Sequence, residues 1–169
     1  MQSKYRILFS VIAIIFFSVA VLAQTTAYET PKFSASFNGP VTTKDVGRND
    51  ANTSSTISYS SFDEATGIEE MIFIRTLDSP TDVTPEAAES YVDQDATHGT
   101  VLSRSKDYYQ GRPYSYLCMD MDMSGTTARE RERVIIANAH EVIWVVMLST
   151  PDGSNKDEWA RFDTSLVIK

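Results

Sequence analysis

The chain has 169 residues, 42% of them hydrophobic, and its 23 acidic and 15 basic residues give a formal net charge of −8 at pH 7. That length suffices for one ordinary domain with its own core, and a single cysteine excludes an internal disulfide framework. No Lys or Arg occurs between Arg75 and Arg104. The acidic excess therefore excludes nucleic acid as an expected partner and disfavours an anionic membrane surface.

The N-terminal segment, residues 1–23, is predicted to be a signal peptide. Two basic residues begin it, an apolar run follows, and Val21-Leu22-Ala23 fits a small-residue cleavage site before Gln24. The apolar run is long, so an uncleaved membrane anchor is the alternative and would be the chain's only membrane contact. We expect cleavage near Ala23–Gln24, which leaves a periplasmic or secreted domain over residues 24–169.

Alternating apolar side chains, interrupted by Gly, Pro, Asn and Asp, predict strands in the first half of the chain. The predicted strands occupy residues 33–37, 41–46, 56–62 and 70–77. Residues 25–31 are interpreted as a polar lead-in, and residues 47–55 as a polar loop. On the last of these strands, Met71, Phe73 and Arg75 are expected to share one face.

A helix is predicted to start at Thr84-Pro85-Glu86, with Thr84 as N-cap, a proline at the first position and a carboxylate at the positive end of the helix dipole. Its predicted apolar stripe consists of Ala88, Tyr91, Val92 and Ala96. Asp95 falls on the same side. Either the helix frays before Asp95 or this carboxylate turns inward, and we expect fraying before Gly99.

A strand at residues 101–109 leads through a turn at Gln110-Gly111 into the most informative segment, residues 112–150. This segment predicts three consecutive antiparallel strands. In the first, Leu117 and three methionines alternate with Cys118 and two aspartates, which is typical of a strand buried on one face. Cys118 is expected to be a small buried hydrophobe. Residues 142–148 are apolar on both faces and predict a central strand covered on both sides.

The turn after the methionine-rich strand sets the pairing of the next strand. Gly125-Thr126 is predicted as the central pair of a type II′ turn, in which glycine supplies the positive φ. A slip by one residue would place Asp120 opposite Glu130 and is disfavoured, because opposed like charges destabilise a sheet. Glu130 and Glu132 fall on the methionine side, which we expect to be open to water near the turn. The predicted pairs are Asp122 with Arg129, Asp120 with Arg131, and Leu117 with Val134.

A second helix is predicted near the end of the chain. Ser154 is the expected N-cap, with Asp157 in capping-box spacing, and residues 166–168 form an extended tail. The side chains expected to face the sheet are Trp159, Phe162 and Ser165. The order of the elements predicts an α+β domain in which helices pack on an antiparallel sheet.

Four short motifs occur in a recognisable order along the chain. They are Phe33-x-x-x-Phe37 before Gly39-Pro40, then Tyr109-Gln110-Gly111-Arg112-Pro113, a turn through Asn138 ahead of Trp144, and Phe162-x-x-Ser165-Leu166. In this order the chain resembles the PsbP-like superfamily, whose bacterial members include small secreted proteins. The resemblance implies an α/β/α sandwich around one antiparallel sheet over residues 24–169. It implies no functional residue, because a fold does not determine a function.

Metal and cofactor sites are not expected. Asp120-x-Asp122-x-Ser124-Gly125 matches the first half of a calcium loop, but Arg131 stands where such a loop needs a bidentate Glu. A solvated ladder of Asp and Arg side chains explains the same residues. The two histidines, His98 and His140, lack partners at metal-ligand spacing and are expected at the surface.

The sequence contains no G-x-S-x-G, no Cys-x-x-Cys and no phosphate-binding glycine loop, so no catalytic residue is predicted. An enzyme ranks last, and it would need a pocket in which Asp95, His98 or His140 converge. The first hypothesis is an exported, non-enzymatic domain that binds a protein or an envelope component. The alternative is a small-molecule or cation-binding protein, with a pocket between sheet and helix or at the aspartate turn.

The candidate binding residues surround one hairpin and are Tyr108, Tyr109, Arg112 and Tyr114. Tyrosine and arginine are favoured at the energetic centres of protein interfaces. The competing interpretation is that strand alternation places half of the tyrosines in the core.

Overall fold

The computed structural model describes residues 25–49, 51–151 and 155–169. The predicted signal peptide and the predicted cap Ser154 lie outside these residues. The strands in the described part are β1 Thr25–Glu29, β2 Phe33–Asn38, β3 Thr42–Arg48, β4 Ser54–Asp63, β5 Ile68–Leu77, β6 Gly99–Tyr109, β7 Arg112–Met123, β8 Thr126–Asn138, β9 Glu141–Ser149 and β10 Val167–Ile168. The helices are α1 Pro85–Asp95 and α2 Lys156–Ser165, and Ala96–His98 forms a 3₁₀ turn after α1.

One large antiparallel sheet organises the domain. Its seven strands run in the order β3-β4-β5-β9-β8-β7-β6, and a smaller sheet has the order β1-β2-β10. Helix α1 packs on one face of the large sheet, while α2 and the small sheet cover the other face. The structure therefore confirms the predicted α+β domain with helices on both sides of an antiparallel sheet.

The central strand β9 supplies the core to both faces of the large sheet. Ile143 and Val145 pack toward α2, whereas Val142 and Trp144 pack toward α1, and all four are buried. Each face carries its own apolar cluster, since successive side chains of a strand point to opposite sides. The prediction of a central strand covered on both sides is confirmed.

Helix α1 begins as its sequence predicts. The hydroxyl of Thr84 accepts a hydrogen bond from the backbone N–H of Ala87 at 3.1 Å, and proline occupies the first turn. Ala88 and Val92 are fully buried against the sheet. Helix α2 begins at Lys156 with Asn155 at the N-cap position, one residue later than predicted.

The interpretation of residues 25–31 as a lead-in was wrong, because Thr25–Glu29 pairs with β2 along its whole length. Aromatic packing of Tyr28 also holds this strand in place, since its ring lies 5.7 Å from the ring of Tyr59 and 6.3 Å from that of Phe37. The predicted loop at 47–55 was too long, since β3 extends to Arg48 and β4 begins at Ser54.

The predicted pairing of β7 with β8 was wrong by two residues. Ser124 and Gly125 are the central residues of the turn, and their φ angles of 57° and 90° define a type I′ turn instead of type II′. The Asp122 carboxylate accepts a hydrogen bond from the Gly125 N–H at 2.7 Å, which stabilises this turn. The observed pairs are Asp120 with Arg129, Leu117 with Glu132, and Met119 with Glu130. A shift of two residues preserves the face of every side chain.

Candidate functional site

Helix α1 covers the large sheet over β6, β7 and β8, and it leaves a groove over β5 and β9. The groove has a volume of about 370 Å³. Its apolar lining consists of Met71, Phe73, Met121, Met123, Trp144, Val146 and Leu148. Its polar lining consists of Thr56, Arg75, Asp95, Glu130 and Glu132.

Strand alternation explains why these side chains share the groove. Met71, Phe73 and Arg75 lie on one face of β5, as predicted, and each pairs with a β9 residue on the same face. Glu130 and Glu132 lie on that face of β8, on the methionine side, as predicted. The groove thus has a largely apolar floor and a wall of carboxyl groups.

Glu132 is the most deeply placed acid of the groove, with 1% of its surface exposed. The expectation that this side of the hairpin opens to water is therefore wrong at Glu132. Burial, followed by repulsion from Asp95 and Glu130, raises the pKa of Glu132 to about 9. The proximity of the Asp95 carboxyl adds to the same shift, although neither Glu132 oxygen has a hydrogen-bond partner among the described residues.

Glu130 lies beside this pair, nearer to the turn. Burial, followed by the charge of Asp95, raises its pKa to about 7. Within the described residues, none of the three carboxyls forms an ion pair with a Lys, Arg or His. The carboxyl end of the groove therefore holds more negative charge as the pH rises, and no cation of the described chain offsets it.

Asp95 reaches the groove because α1 does not fray. The helix continues through Asp95, and the carboxyl turns inward. Our preference for fraying was wrong, and the alternative of an inward carboxylate is the one observed. The 3₁₀ turn Ala96–His98 continues the helical backbone beyond α1 and contacts β6 and β7, which keeps Asp95 close to the sheet.

Arg75 marks the opposite end of the groove. Its guanidinium lies 4.5 Å from the ring centroid of Trp144, in a cation–π contact. Arg75 is level with Val142 of β9, whereas Glu132 is level with Val146. At about 3.3 Å per residue, the backbone positions of these two residues are separated by roughly 13 Å along the strand. The groove is therefore polarised, with its cation and its carboxyls at different ends.

The predicted hairpin residues are divided between surface and interior. Tyr108 is 60% exposed. The Tyr109 hydroxyl lies 3.0 Å and 2.8 Å from the carbonyl oxygens of Asp163 and Leu166, at the end of α2. Arg112 is partly exposed and donates weakly to the Lys169 carbonyl at 3.4 Å. The ring of Tyr114 lies under the Arg133 guanidinium at 4.7 Å. A binding role for these four residues stays a prediction.

The aspartates of the calcium-like motif contact the protein itself. Asp120 receives two hydrogen bonds from Arg129, at 2.8 Å and 2.9 Å, and Asp122 caps the turn. Cys118 is buried, as expected. His98 and His140 are exposed and line no part of the groove. In the part of the chain that the structure describes, no group of three or more His, Cys, Asp or Glu side chains is arranged to hold a metal ion.

Sequence reasoning identified each component of the groove but did not assemble it. Two signals pointed to the carboxyl cluster: Asp95 on an apolar helix stripe, and glutamates alternating on a methionine-lined face. Each alone has an ordinary explanation, fraying or exposure. Their convergence depends on α1 crossing β7 and β8, which is a non-local contact.

No family model matches the chain, and neither does any curated protein. Solved structures do match. The cyanobacterial PsbP (CyanoP) of Synechocystis sp. PCC 6803 superposes with a TM-score of 0.59 at 12% identity, over 89% of this chain and 96% of that one. LpqN of Mycobacterium tuberculosis, described as involved in cell envelope biogenesis, has a TM-score of 0.52 at 13% identity, over 86% of this chain and 91% of that one.

These comparisons define the class of the protein by its fold. The chain has the PsbP-like fold, as the order of its sequence motifs predicted. At 12% and 13% identity the likeness concerns the fold, and no binding residue is transferred. Of the helices in the described residues, none combines the length and the apolar character needed to cross a membrane.

Proposed function

We propose that this protein is an exported, non-enzymatic binding domain whose groove beside α1 holds an amphipathic organic cation. The observation that carries the proposal is the carboxyl cluster of Asp95, Glu130 and Glu132 at one end of an apolar groove. An ammonium or guanidinium group would sit among the carboxyls, with its apolar portion along Trp144 and Val146.

The chemistry of the lining favours an organic cation over a metal ion. Methionine and aromatic side chains offer polarisable, apolar contact, which suits the organic portion of such a ligand. A bound cation stabilises ionised carboxyls, so it lowers the pKa values that burial has raised. Binding would therefore release protons and strengthen as the pH rises through the pKa values of Glu130 and Glu132, about 7 and about 9.

Arg75 gives the ligand an orientation. Because this cation occupies the end of the groove near Trp144, a second cation is repelled there and the charged group of the ligand is directed to the carboxyl end. An apolar chain with one cationic end fits this pattern better than a dication or a fatty acid.

Export and an envelope partner rest on the sequence and on one structural neighbour. The N-terminal segment has the composition of a signal peptide, and LpqN, which shares the fold, is described as involved in cell envelope biogenesis. We therefore infer that the ligand is an amphipathic component of the cell envelope or a cationic segment of an envelope protein. Among the described residues that line the groove, Asp95 is joined by neither His98 nor His140, so the pocket that the enzyme hypothesis needed gains no support here.

The test is calorimetric titration of the purified protein with hexyltrimethylammonium, hexanol and hexanoate, which share a chain length and differ in charge. We expect saturable binding of the cation alone, tightening between about pH 6 and pH 9. At the upper pH, Glu132→Gln should weaken binding about tenfold, the effect of losing one buried charged contact. Glu64→Gln, which removes an exposed charge in the β4–β5 turn, is the matched control.

Equal binding of hexanol and the cation would reject the electrostatic part of the proposal. The absence of saturable binding by all three compounds would reject the groove as a site for such ligands. Loss of binding in Glu64→Gln as well as in Glu132→Gln would show that affinity depends on the overall charge of the protein and not on the groove.

A further inference from the structure

A second pocket lies on the opposite face of the large sheet, beside the first turn of α2, with a volume of about 360 Å³. It is lined by three cations and by no carboxylate of the described residues. We propose that it binds an organic oxyanion, a phosphate or carboxylate group attached to an aromatic or apolar body. This proposal is independent of the groove and of its ligand.

Arg131 is the central element of this pocket. Only 4% of its surface is exposed, and the hydrogen bond that its Nη1 donates to the Ser149 hydroxyl is long at 3.3 Å. No Asp or Glu of the described residues lies within ion-pair distance of Arg131. The charge of Arg131 helps to lower the pKa of Asp120, which is hydrogen-bonded to Arg129, so the two arginines share one carboxylate. Burial of a cation carries a large desolvation cost, and a bound anion would offset the part of it that this shared carboxylate leaves.

The neighbouring cations, Arg129 and Lys156, give the pocket further hydrogen-bond donors and positive charge for an oxyanion. Arg129 is held by Asp120 through two hydrogen bonds, which fixes its guanidinium at the pocket wall. Lys156, the first residue of α2, is exposed at the rim, where the positive end of the helix dipole adds to its charge. Arginine presents paired donors that match the geometry of phosphate and carboxylate groups.

Aromatic and apolar surface beside these cations would contact the body of the ligand. The rings of Trp159 and Tyr116 lie 5.8 Å apart at an angle of 41°, and both line the pocket. Leu102 reaches the rim because the pairing of β6 with β7 shifts register between Val101 and Ser103, and such a bulge redirects side chains. Free inorganic phosphate would use the cations but not this surface.

The experiment titrates the purified protein with phenyl phosphate, benzoate and inorganic phosphate at constant ionic strength, followed by calorimetry and by amide chemical shifts. We expect phenyl phosphate or benzoate to bind more tightly than inorganic phosphate, and the preferred one identifies the headgroup. Lys156→Gln should weaken binding about threefold, as expected for one exposed charge, and Arg131→Lys about tenfold through loss of the paired donors. Lys44→Gln, an exposed lysine on β3, is the charge-matched control.

Shifts confined to residues around Arg131 and Trp159, with unchanged binding in Lys44→Gln, would support the pocket. Equal weakening in Lys156→Gln and Lys44→Gln would overturn it, because the effect would then be overall charge. The absence of saturable binding at millimolar ligand would also overturn it. If Arg131→Lys fails to fold, Lys156→Gln still decides, since that side chain is exposed.

Discussion

Glu132 of β8 and Asp95, the last residue of α1, place their carboxyl groups beside one another beneath the helix. Burial is the largest cause of the raised pKa of Glu132, and the charge of Asp95 is the next. Two acids in one apolar site cannot both ionise without cost, so the pair retains a proton in the neutral range. The packing of α1 on the sheet is therefore coupled to protonation of the Glu132–Asp95 pair.

Glu132→Gln should reduce the pH dependence of stability. The pKa of Glu132 is higher in the folded chain than its ordinary value of 4.5, so its contribution favours folding at low pH and is lost as the pH rises toward about 9. Each pKa unit corresponds to about 1.4 kcal/mol, so the variant should gain several kcal/mol relative to the native protein at the alkaline end.

Urea unfolding at acid and alkaline pH would measure this difference. Glu64→Gln, in an exposed turn, should follow the native protein at both values. A native protein whose stability is flat across this range would show that Glu132 ionises freely.

Arg161→Met should destabilise the attachment of α2. Arg161 forms an ion pair with Glu70, which is fully buried in β5, and donates to the Ser36 carbonyl at 2.7 Å. Removing the cation leaves Glu70 buried, where desolvation already raises its pKa. Because Arg161 is partly exposed, we expect a loss of roughly 2–3 kcal/mol, somewhat below that of a fully buried pair.

Thermal unfolding would report this loss, and Lys106→Gln provides the comparison. Lys106 forms exposed ion pairs with Glu86 and Glu89. Because exposed ion pairs contribute little to stability, the melting temperature of the Lys106→Gln variant should match that of the native protein. Equal effects in the two variants would mean that burial of Glu70 is unimportant.

Ser124→Asn should stabilise the β7–β8 hairpin. Ser124 has φ of 57°, a left-handed conformation that asparagine adopts more readily than serine. We expect a gain of about 0.5 kcal/mol and, for Gly125→Ala at φ of 90°, a loss of about 1 kcal/mol. Denaturant midpoints of both variants test the turn type. Gly125→Ala is destabilising in either turn type, so Ser124→Asn decides: a loss of stability in that variant would favour the type II′ turn with Gly125-Thr126 at its centre.

The predicted partner surface is best tested at Tyr108 and Arg112. Tyr108 is largely exposed, so Tyr108→Ala should leave stability unchanged while reducing capture of a partner in cell cross-linking. Tyr109→Ala should instead destabilise the domain, because its hydroxyl anchors the end of α2. Undiminished capture in a Tyr108→Ala/Arg112→Gln double variant would remove this surface from consideration.

Millimolar calcium should leave the melting temperature unchanged. Asp120 is engaged by Arg129, and Asp122 accepts from the turn N–H, so a metal ion would have to displace both contacts. Asp120→Asn should lower stability with or without calcium, through loss of its paired hydrogen bonds with Arg129. A calcium-dependent rise in melting temperature that Asp120→Asn abolishes would restore the metal hypothesis.

Local rules predicted the elements whose cause is local. The Thr84 cap, the apolar run of β9 and the alternation of Met71 and Phe73 depend on neighbours in sequence, and all three are found in the structure. The β7–β8 register failed because two turn types fit the same residues. Opposite charges face one another in both registers, with Asp120 beside Arg129 or beside Arg131, so charge could not choose between them.

The groove itself required tertiary information. Whether Glu132 meets water or α1 depends on where the helix crosses the sheet, and neither β8 nor α1 encodes that alone. The short β1 was missed for a similar reason, since its polar residues become a strand only when β2 supplies the hydrogen bonds.

The two tryptophans of the chain lie on opposite faces of the large sheet. Trp144 lies in the groove, and Trp159 lies in the basic pocket, which is the pocket beside α2 that Arg129, Arg131 and Lys156 line. The protein therefore carries one tryptophan in each candidate site. In a Trp159→Phe protein, emission would report the groove alone, and in a Trp144→Phe protein it would report the basic pocket alone. Both sites can thus be followed optically in the same fold without an added label.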